Sequence, residues 1–349
     1  MKKTILLSAL LISFILTGCS LKGSENSPAK NISYKSNNPR FDYINDEGQF
    51  FITESILSPS LENNKLGDPT TQLARVFLPP SYYTNTTRRY PVVYYLHGFG
   101  SSFLEIDWYR KYYKSAMTNK KNNEFIMVGV NGRNKLNGSF YVNSPATGNW
   151  EDYIVKDIVP HIDNKYRTIA KPTSRGISGF SMGGFGALYI GFRHPDVFSS
   201  IFAISPAIFD AKDIVRVVKT MNQQMTTAYG AAFAPDLNIE YPFAGILTLN
   251  GTKKDNQILY KWVNGIGNMD KKAKLYQNNI KMLNGIQIDY GTKDFFDWIP
   301  GGCKQLSNTL NSLKIDNKLI KFNGSHGDQN IKIFEKDMIP YFSKKLKFK

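Results

Sequence analysis

Apolar positions after residue 40 fall into two kinds of run. Short β-rich runs recur along the chain: Gln72 to Leu78 (QLARVFL), Pro91 to Leu96 (PVVYYL), Phe125 to Val130 (FIMVGV), Gly176 to Phe180, Ser200 to Ile204, Ile286 to Tyr290 and Lys318 to Phe322. The first alternates as a half-buried strand does and stops at Pro79-Pro80. The second and third are apolar throughout, the pattern of strands covered on both faces. Between them lie helical spacings. Trp150 to Tyr166 places Tyr153, Ile154, Ile158, Ile162 and Tyr166 on one side. Met182 to Phe192 predicts a small-residue helix, and Cys303 to Leu313 and Ile331 to Phe342 predict two more, the last kinked or ended by Pro340. Strands alternating with helices predict an α/β fold: a mostly parallel sheet with helices on both faces. Phe209 to Asn284 departs from the alternation. It reads as an insertion over the carboxyl edge of the sheet, inside a single domain spanning 40–349.

The N-terminus has another pattern. Lys2 and Lys3 precede an apolar stretch, Thr4 to Thr17, of 14 residues. A spanning helix needs about 20, so this reads as a cleaved export signal. Leu16-Thr17-Gly18-Cys19 resembles the bacterial lipobox, which makes 1–18 a lipoprotein signal peptide and Cys19 the lipidated first residue. Two acyl chains meet the requirement for stable anchoring. Residues 19–39 are polar, without apolar period, and read as a flexible tether. The expected location is the extracytoplasmic face of the cell membrane.

Composition narrows the function. Forty-two per cent apolar and 13% aromatic residues exclude a disordered chain, and two cysteines exclude a disulfide scaffold. Cys303 is expected to be a small buried residue. The net charge of +16 raises nucleic acid as a partner, yet 34 of the 44 basic residues are scattered Lys, where a nucleic-acid reader favours clustered Arg. No nucleic-acid partner is expected. A basic surface facing anionic lipid or wall polymer fits better.

Gly179-Phe180-Ser181-Met182-Gly183 is G-x-S-x-G. About one chain in ten of this length matches by chance, so the setting decides. A β-rich run precedes it and a small-residue helix follows, the strand–turn–helix context of a nucleophile elbow. A nucleophilic serine needs a base, and four His are available. In this enzyme class the order is Ser, acid, His. His97 and His161 lie upstream, and His194 leaves no room for an acid-bearing strand. His326, in the Gly-flanked loop Asn323 to Asp328, is the base by position. Asp294, in the exit loop of the penultimate strand, is the acid. Asp297 and Asp289 are alternatives, and Asp255 is a weaker one. His97-Gly98-Phe99-Gly100 closes an earlier strand, where a second oxyanion donor originates in such enzymes.

Several segments carry a family resemblance. Leu78 to Tyr82, Arg89 to Gly98, Ile158 to Thr168, Gly176 to Leu188 and Phe192 to Pro195 resemble the esterase-D-like "putative esterase" family of α/β-hydrolases. That group includes S-formylglutathione hydrolases, feruloyl and acetyl-xylan esterases, siderophore esterases and mycolyltransferases. The resemblance implies Ser181 as nucleophile, Asp294 as acid and His326 as base. It also implies oxyanion donors from the backbone N–H groups of Phe99 and Met182. The expected activity is serine carboxylic-ester hydrolysis through an acyl-enzyme, on a small-molecule, glycan or lipid ester, with no metal or organic cofactor. Acyl transfer to a sugar or lipid acceptor shares every step up to deacylation. A non-catalytic binding protein on the same fold is the alternative of another class. Phe99, Phe180, Trp108, Trp150 and Trp298 lie near the motifs and are either site or core aromatics.

Overall fold

A computed structural model describes residues 48–119 and 121–349. The expected signal peptide, Cys19 and the tether lie outside these residues. Among the described residues ten strands form in chain order: β1 (Phe51–Leu57), β2 (Thr71–Phe77), β3 (Val92–Leu96), β4 (Ile126–Val130), the two-residue β5 (Asn143–Ser144) and β6 (Gly148–Asn149), β7 (Arg175–Phe180), β8 (Ser200–Ile204), β9 (Gly285–Gly291) and β10 (Lys318–Phe322). Eight make one sheet in the order β1-β2-β4-β3-β7-β8-β9-β10, and β5 and β6 pair separately. From β4 to β10 every pairing is parallel, while β1–β2 and β2–β4 are antiparallel. The seven strands expected from the pattern all form. β1 is an addition. Its sequence FITESIL carries Glu54 where an apolar residue would mark the inner face, and Glu54 is nonetheless buried, held by Lys165 and Tyr166.

The helices are α1 (Arg110–Thr118), α2 (Trp150–Asp152), α3 (Val159–Lys165), α4 (Met182–Arg193), α5 (Ile214–Thr220), α6 (Gln223–Phe233), α7 (Lys253–Val263), α8 (Met269–Leu275), α9 (Gln277–Ile280), α10 (Ile299–Ser312), α11 (Asn330–Ile333) and α12 (Ile339–Lys345). They cover both faces. Alternate residues of β3 divide the core: Val92, Tyr94 and Leu96 pack with Trp150, Ile154, Phe185, Leu188 and Leu306, whereas Val93 and Tyr95 pack with Ile106, Tyr113, Phe334, Met338 and Phe342. That division explains an apolar run without alternation. Burying each such side chain stabilises the fold by about 1.5–3 kcal/mol.

Two prolines sit inside helical runs. A π-helical turn, Tyr153–Ile158, joins α2 to α3, and another, Phe334–Met338, joins α11 to α12. Pro160 and Pro340 each stand in the first turn of the α segment that follows. The run from Asn330 to Lys345 therefore continues past Pro340 and is not ended there. The wider π turn takes the place of the i−4 hydrogen bond that proline cannot make.

The chain moves outward from β3 to β4 and then crosses to β7 on the other side of β3. Strand order thus reverses between β3 and β7. Ligands of open α/β sheets bind beyond the carboxyl ends of the strands at such a point. Five helices, α5 to α9, occupy the chain between β8 and β9, with an isolated bridge between Pro235 and Ala244. Among the described residues no helix is long and apolar enough to cross a membrane.

Candidate active site

Ser181 stands between β7 and α4 with φ 55° and ψ −114°. Positive φ is costly for a residue with a Cβ, about 1–3 kcal/mol, and surrounding bonds enforce it. The Ser181 N–H donates to Ile204 O at 3.0 Å, and its carbonyl accepts from Ala207 N at 2.9 Å and Phe185 N at 3.0 Å. The flanking glycines are required by close approach. A Cβ on Gly183 would lie 1.9 Å from Leu96 O, and one on Gly179 would lie 2.3 Å from Gly183 O. No neighbouring flexible side chain could yield, because both obstacles are backbone.

Asp294 and His326 meet. Asp294 Oδ2 is 2.7 Å from His326 Nδ1, and the two side chains are 0% and 6% exposed. An ionised carboxylate can only accept, so Nδ1 donates and Nε2 is left as the basic nitrogen. Asp294 Oδ1 accepts from Phe296 N at 2.9 Å, which fixes the carboxylate plane. The two loops are laced together: Thr292 N donates to Phe322 O and Lys293 N to Gly324 O. Three phenylalanines surround the imidazole, with ring centroids of Phe180 at 4.7 Å and of Phe295 and Phe296 at 5.2 Å. Phe180 immediately precedes Ser181, so this packing brings His326 to the elbow. Among the described residues neither Ser181 Oγ nor His326 Nε2 is engaged in a hydrogen bond. Apo sites often tighten this contact only when substrate arrives.

The side chains of Phe99 and Met182 meet at Gly138. A Cβ there would lie 2.6 Å from the Phe99 ring and 2.7 Å from Met182 Sδ. Among the described residues neither backbone N–H has a carbonyl partner. Met182 N–H is one of the unpaired donors at the start of α4.

The remaining candidates are occupied elsewhere. His97 is buried: Nδ1 donates to Gly98 O at 2.7 Å, Nε2 accepts from Gly132 N at 2.9 Å, and burial pushes its pKa down to about 4. His161 faces Glu54 at 3.6 Å and His194 faces Glu151 at 2.7 Å. Asp297 is exposed beside Arg216, and Asp255 accepts from Thr248 N and Gly251 N around the start of α7. Asp289 is buried next to Gln287, its carboxyl pushed up to about 7 by burial. Trp150 and Trp298 are core residues, Trp108 is half exposed, and Cys303 is buried with its thiol pushed up by burial. Among the described residues no group of three or more His, Cys, Asp or Glu could hold a metal ion. The sequence reading missed Phe295 and Phe296. The Phe-Phe pair directly after Asp294 was a legible signal.

The fold has solved counterparts. A ferulic acid esterase superposes with TM-score 0.61 at 18% identity, covering 85% of this chain and 98% of that one. FphF of Staphylococcus aureus, a fluorophosphonate-binding serine hydrolase, superposes with TM-score 0.57 at 18% identity, covering 84% and 98%. Esterase Rv1288 of Mycobacterium tuberculosis H37Rv is 30% identical over 169 residues, 45% of this chain and 35% of that protein. The chain thus spans about a third of the length of that curated relative. The fold these structures share with the chain is that of the α/β-hydrolases. The chain belongs to the family described as "Putative esterase", whose model matches residues 66–283. That match includes Ser181 and ends before Asp294 and His326.

Proposed function

We propose that this protein is a membrane-tethered, extracytoplasmic serine esterase that works through an acyl-enzyme. The observation that carries the esterase part of this reading is the buried 2.7 Å Asp294–His326 pair packed against the residue before Ser181; the tether rests on the Leu16 to Cys19 pattern alone. Ser181 Oγ attacks the ester carbonyl while His326 Nε2 takes its proton. Phe99 and Met182 N–H groups donate to the oxyanion, each such donor contributing about 2.7–4 kcal/mol. Collapse of the tetrahedral intermediate expels the alcohol, which receives the proton from His326. Water, deprotonated by His326, then releases the acid and restores Ser181. Asp294 orients the imidazole and stabilises its cation.

Phe180, Phe295 and Phe296 make the rim around His326 apolar, and Phe295 is 63% exposed. One structural counterpart is a ferulic acid esterase. Aromatic acyl esters are therefore the first physiological class to test. Purified protein should hydrolyse p-nitrophenyl esters and react with a fluorophosphonate probe, and Ser181→Ala should abolish both. A wild type that neither turns over nor labels would overturn the reading.

A further inference from the structure

The two peptide units that lead to Phe99 are held by buried side chains. C=O and N–H of one trans peptide point in opposite directions. Gly98 O is drawn inward onto His97 Nδ1 at 2.7 Å, so the Phe99 N–H of the same unit is turned outward. The preceding unit is pinned as well. Its carbonyl, His97 O, accepts from Tyr141 Oη at 3.0 Å, and its N–H, on Gly98, donates to Glu105 Oε2 at 3.1 Å.

Glu105 is the least expected of these partners. It is a carboxylate 4% exposed, on the 3₁₀ turn Phe103–Tyr109. Its other oxygen, Oε1, accepts from Tyr95 Oη at 3.0 Å. Tyr95 Oη lies 3.2 Å from Tyr109 Oη, and the Tyr109 ring stacks on Phe334 at 4.4 Å. A buried carboxylate costs several kcal/mol unless it is well bonded. This one is placed where its strongest directional effect falls on the loop carrying the candidate oxyanion donor. A leucine of similar volume would fill the site without that cost, so packing alone does not account for a carboxylate.

We infer that Glu105 is a positioning residue for ester hydrolysis: by holding Gly98 N–H it sets the direction of the Phe99 N–H toward the oxyanion. The inference rests on the esterase reading above. The task is acceptance of a hydrogen bond and not charge, and Gln can do the same. Burial pushes the Glu105 carboxyl up, and its hydrogen bonds from Gly98 N–H and Tyr95 oppose that shift.

The test compares Glu105→Leu, Glu105→Asp and Glu105→Gln with the full-length wild type in p-nitrophenyl ester hydrolysis. It is run alongside affinity for a trifluoromethyl ketone, whose hemiketal oxygen mimics the oxyanion. Loss of a whole oxyanion donor costs about 10²–10³ in kcat, so mis-aiming one should cost at least about tenfold. Glu105→Leu should lower kcat by that factor with KM nearly unchanged, weaken the ketone in parallel, and leave the melting temperature high enough for assay. Glu105→Gln should recover most of the lost rate. If Glu105→Leu does not fold, Glu105→Asp, which draws the acceptor back by one methylene, should show the same split. An active wild type with an equally active Glu105→Leu or Glu105→Asp would overturn the role of Glu105 alone. A rise in KM with kcat and ketone affinity unchanged would overturn it too. An inert wild type would overturn the esterase reading itself.

Discussion

At the scale of single residues, the site depends on atoms that leave no room for change. Gly183→Ala would drive a Cβ to within 1.9 Å of Leu96 O. Loss of soluble folded protein, or of fluorophosphonate labelling in what remains, is the expected outcome. Asp294→Asn is different in kind. It keeps the Oδ1 acceptor for Phe296 N but can set an amide N–H against His326 Nδ1, favouring the wrong tautomer. A fall in kcat of about 10⁴ with an unchanged melting temperature is expected. Asp289 tests the opposite relation between burial and charge. Its carboxyl is pushed up to about 7, from an unfolded value near 3.9. Below about pH 4 both states are protonated and no penalty exists. As pH rises from 4 to 7 the unfolded chain ionises first, and folding loses about 3–4 kcal/mol. Asp289→Asn should therefore raise the melting temperature at pH 8 and give no gain near pH 4. A gain independent of pH would refute the burial argument.

At the scale of elements, the parts most legible in the sequence are the strands with continuous apolar runs and α4. β1 was not legible. Its inner face carries Glu54, whose burial makes sense only beside Lys165 and Tyr166, more than a hundred residues away. The prolines show a similar limit. Pro340 reads locally as a helix end, since an interior proline costs about 3 kcal/mol. The preceding π turn removes the bond that proline would break, and the packing of Phe334, Met338 and Phe342 in the core keeps the run together. Pro340→Ala should then change stability by less than about 1 kcal/mol in a denaturant titration. A large gain would mean that the proline is strained where it stands.

At the scale of the whole molecule, the sheet's reversal of strand order brings four distant segments to one edge: the Gly98 loop after β3, Ser181 after β7, Asp294 after β9 and His326 after β10. The high positive charge belongs to this scale too. Beyond the proposed signal it remains spread over Lys. If Cys19 is the anchor, Cys19→Ser should move the protein from the membrane fraction to the soluble fraction, with ester hydrolysis by the released protein unchanged. Retention of the variant in the membrane would refute lipid attachment at Cys19.

The sequence by itself determined the class. Hydrophobic period defines the α/β alternation because strands buried on both faces must be apolar throughout. G-x-S-x-G defines the elbow because only glycine tolerates the approach of Leu96 O and Gly183 O. Chain order singled out His326 and put Asp294 ahead of its alternatives. Only the tertiary structure decided which carboxylate faces His326, because Asp289, Asp294 and Asp297 stand within nine residues yet meet a buried glutamine, an imidazole and a surface arginine. It alone revealed Glu105 as well. A carboxylate's role there depends on which backbone N–H it meets, and no local pattern encodes a contact made by a folded loop turning back on itself.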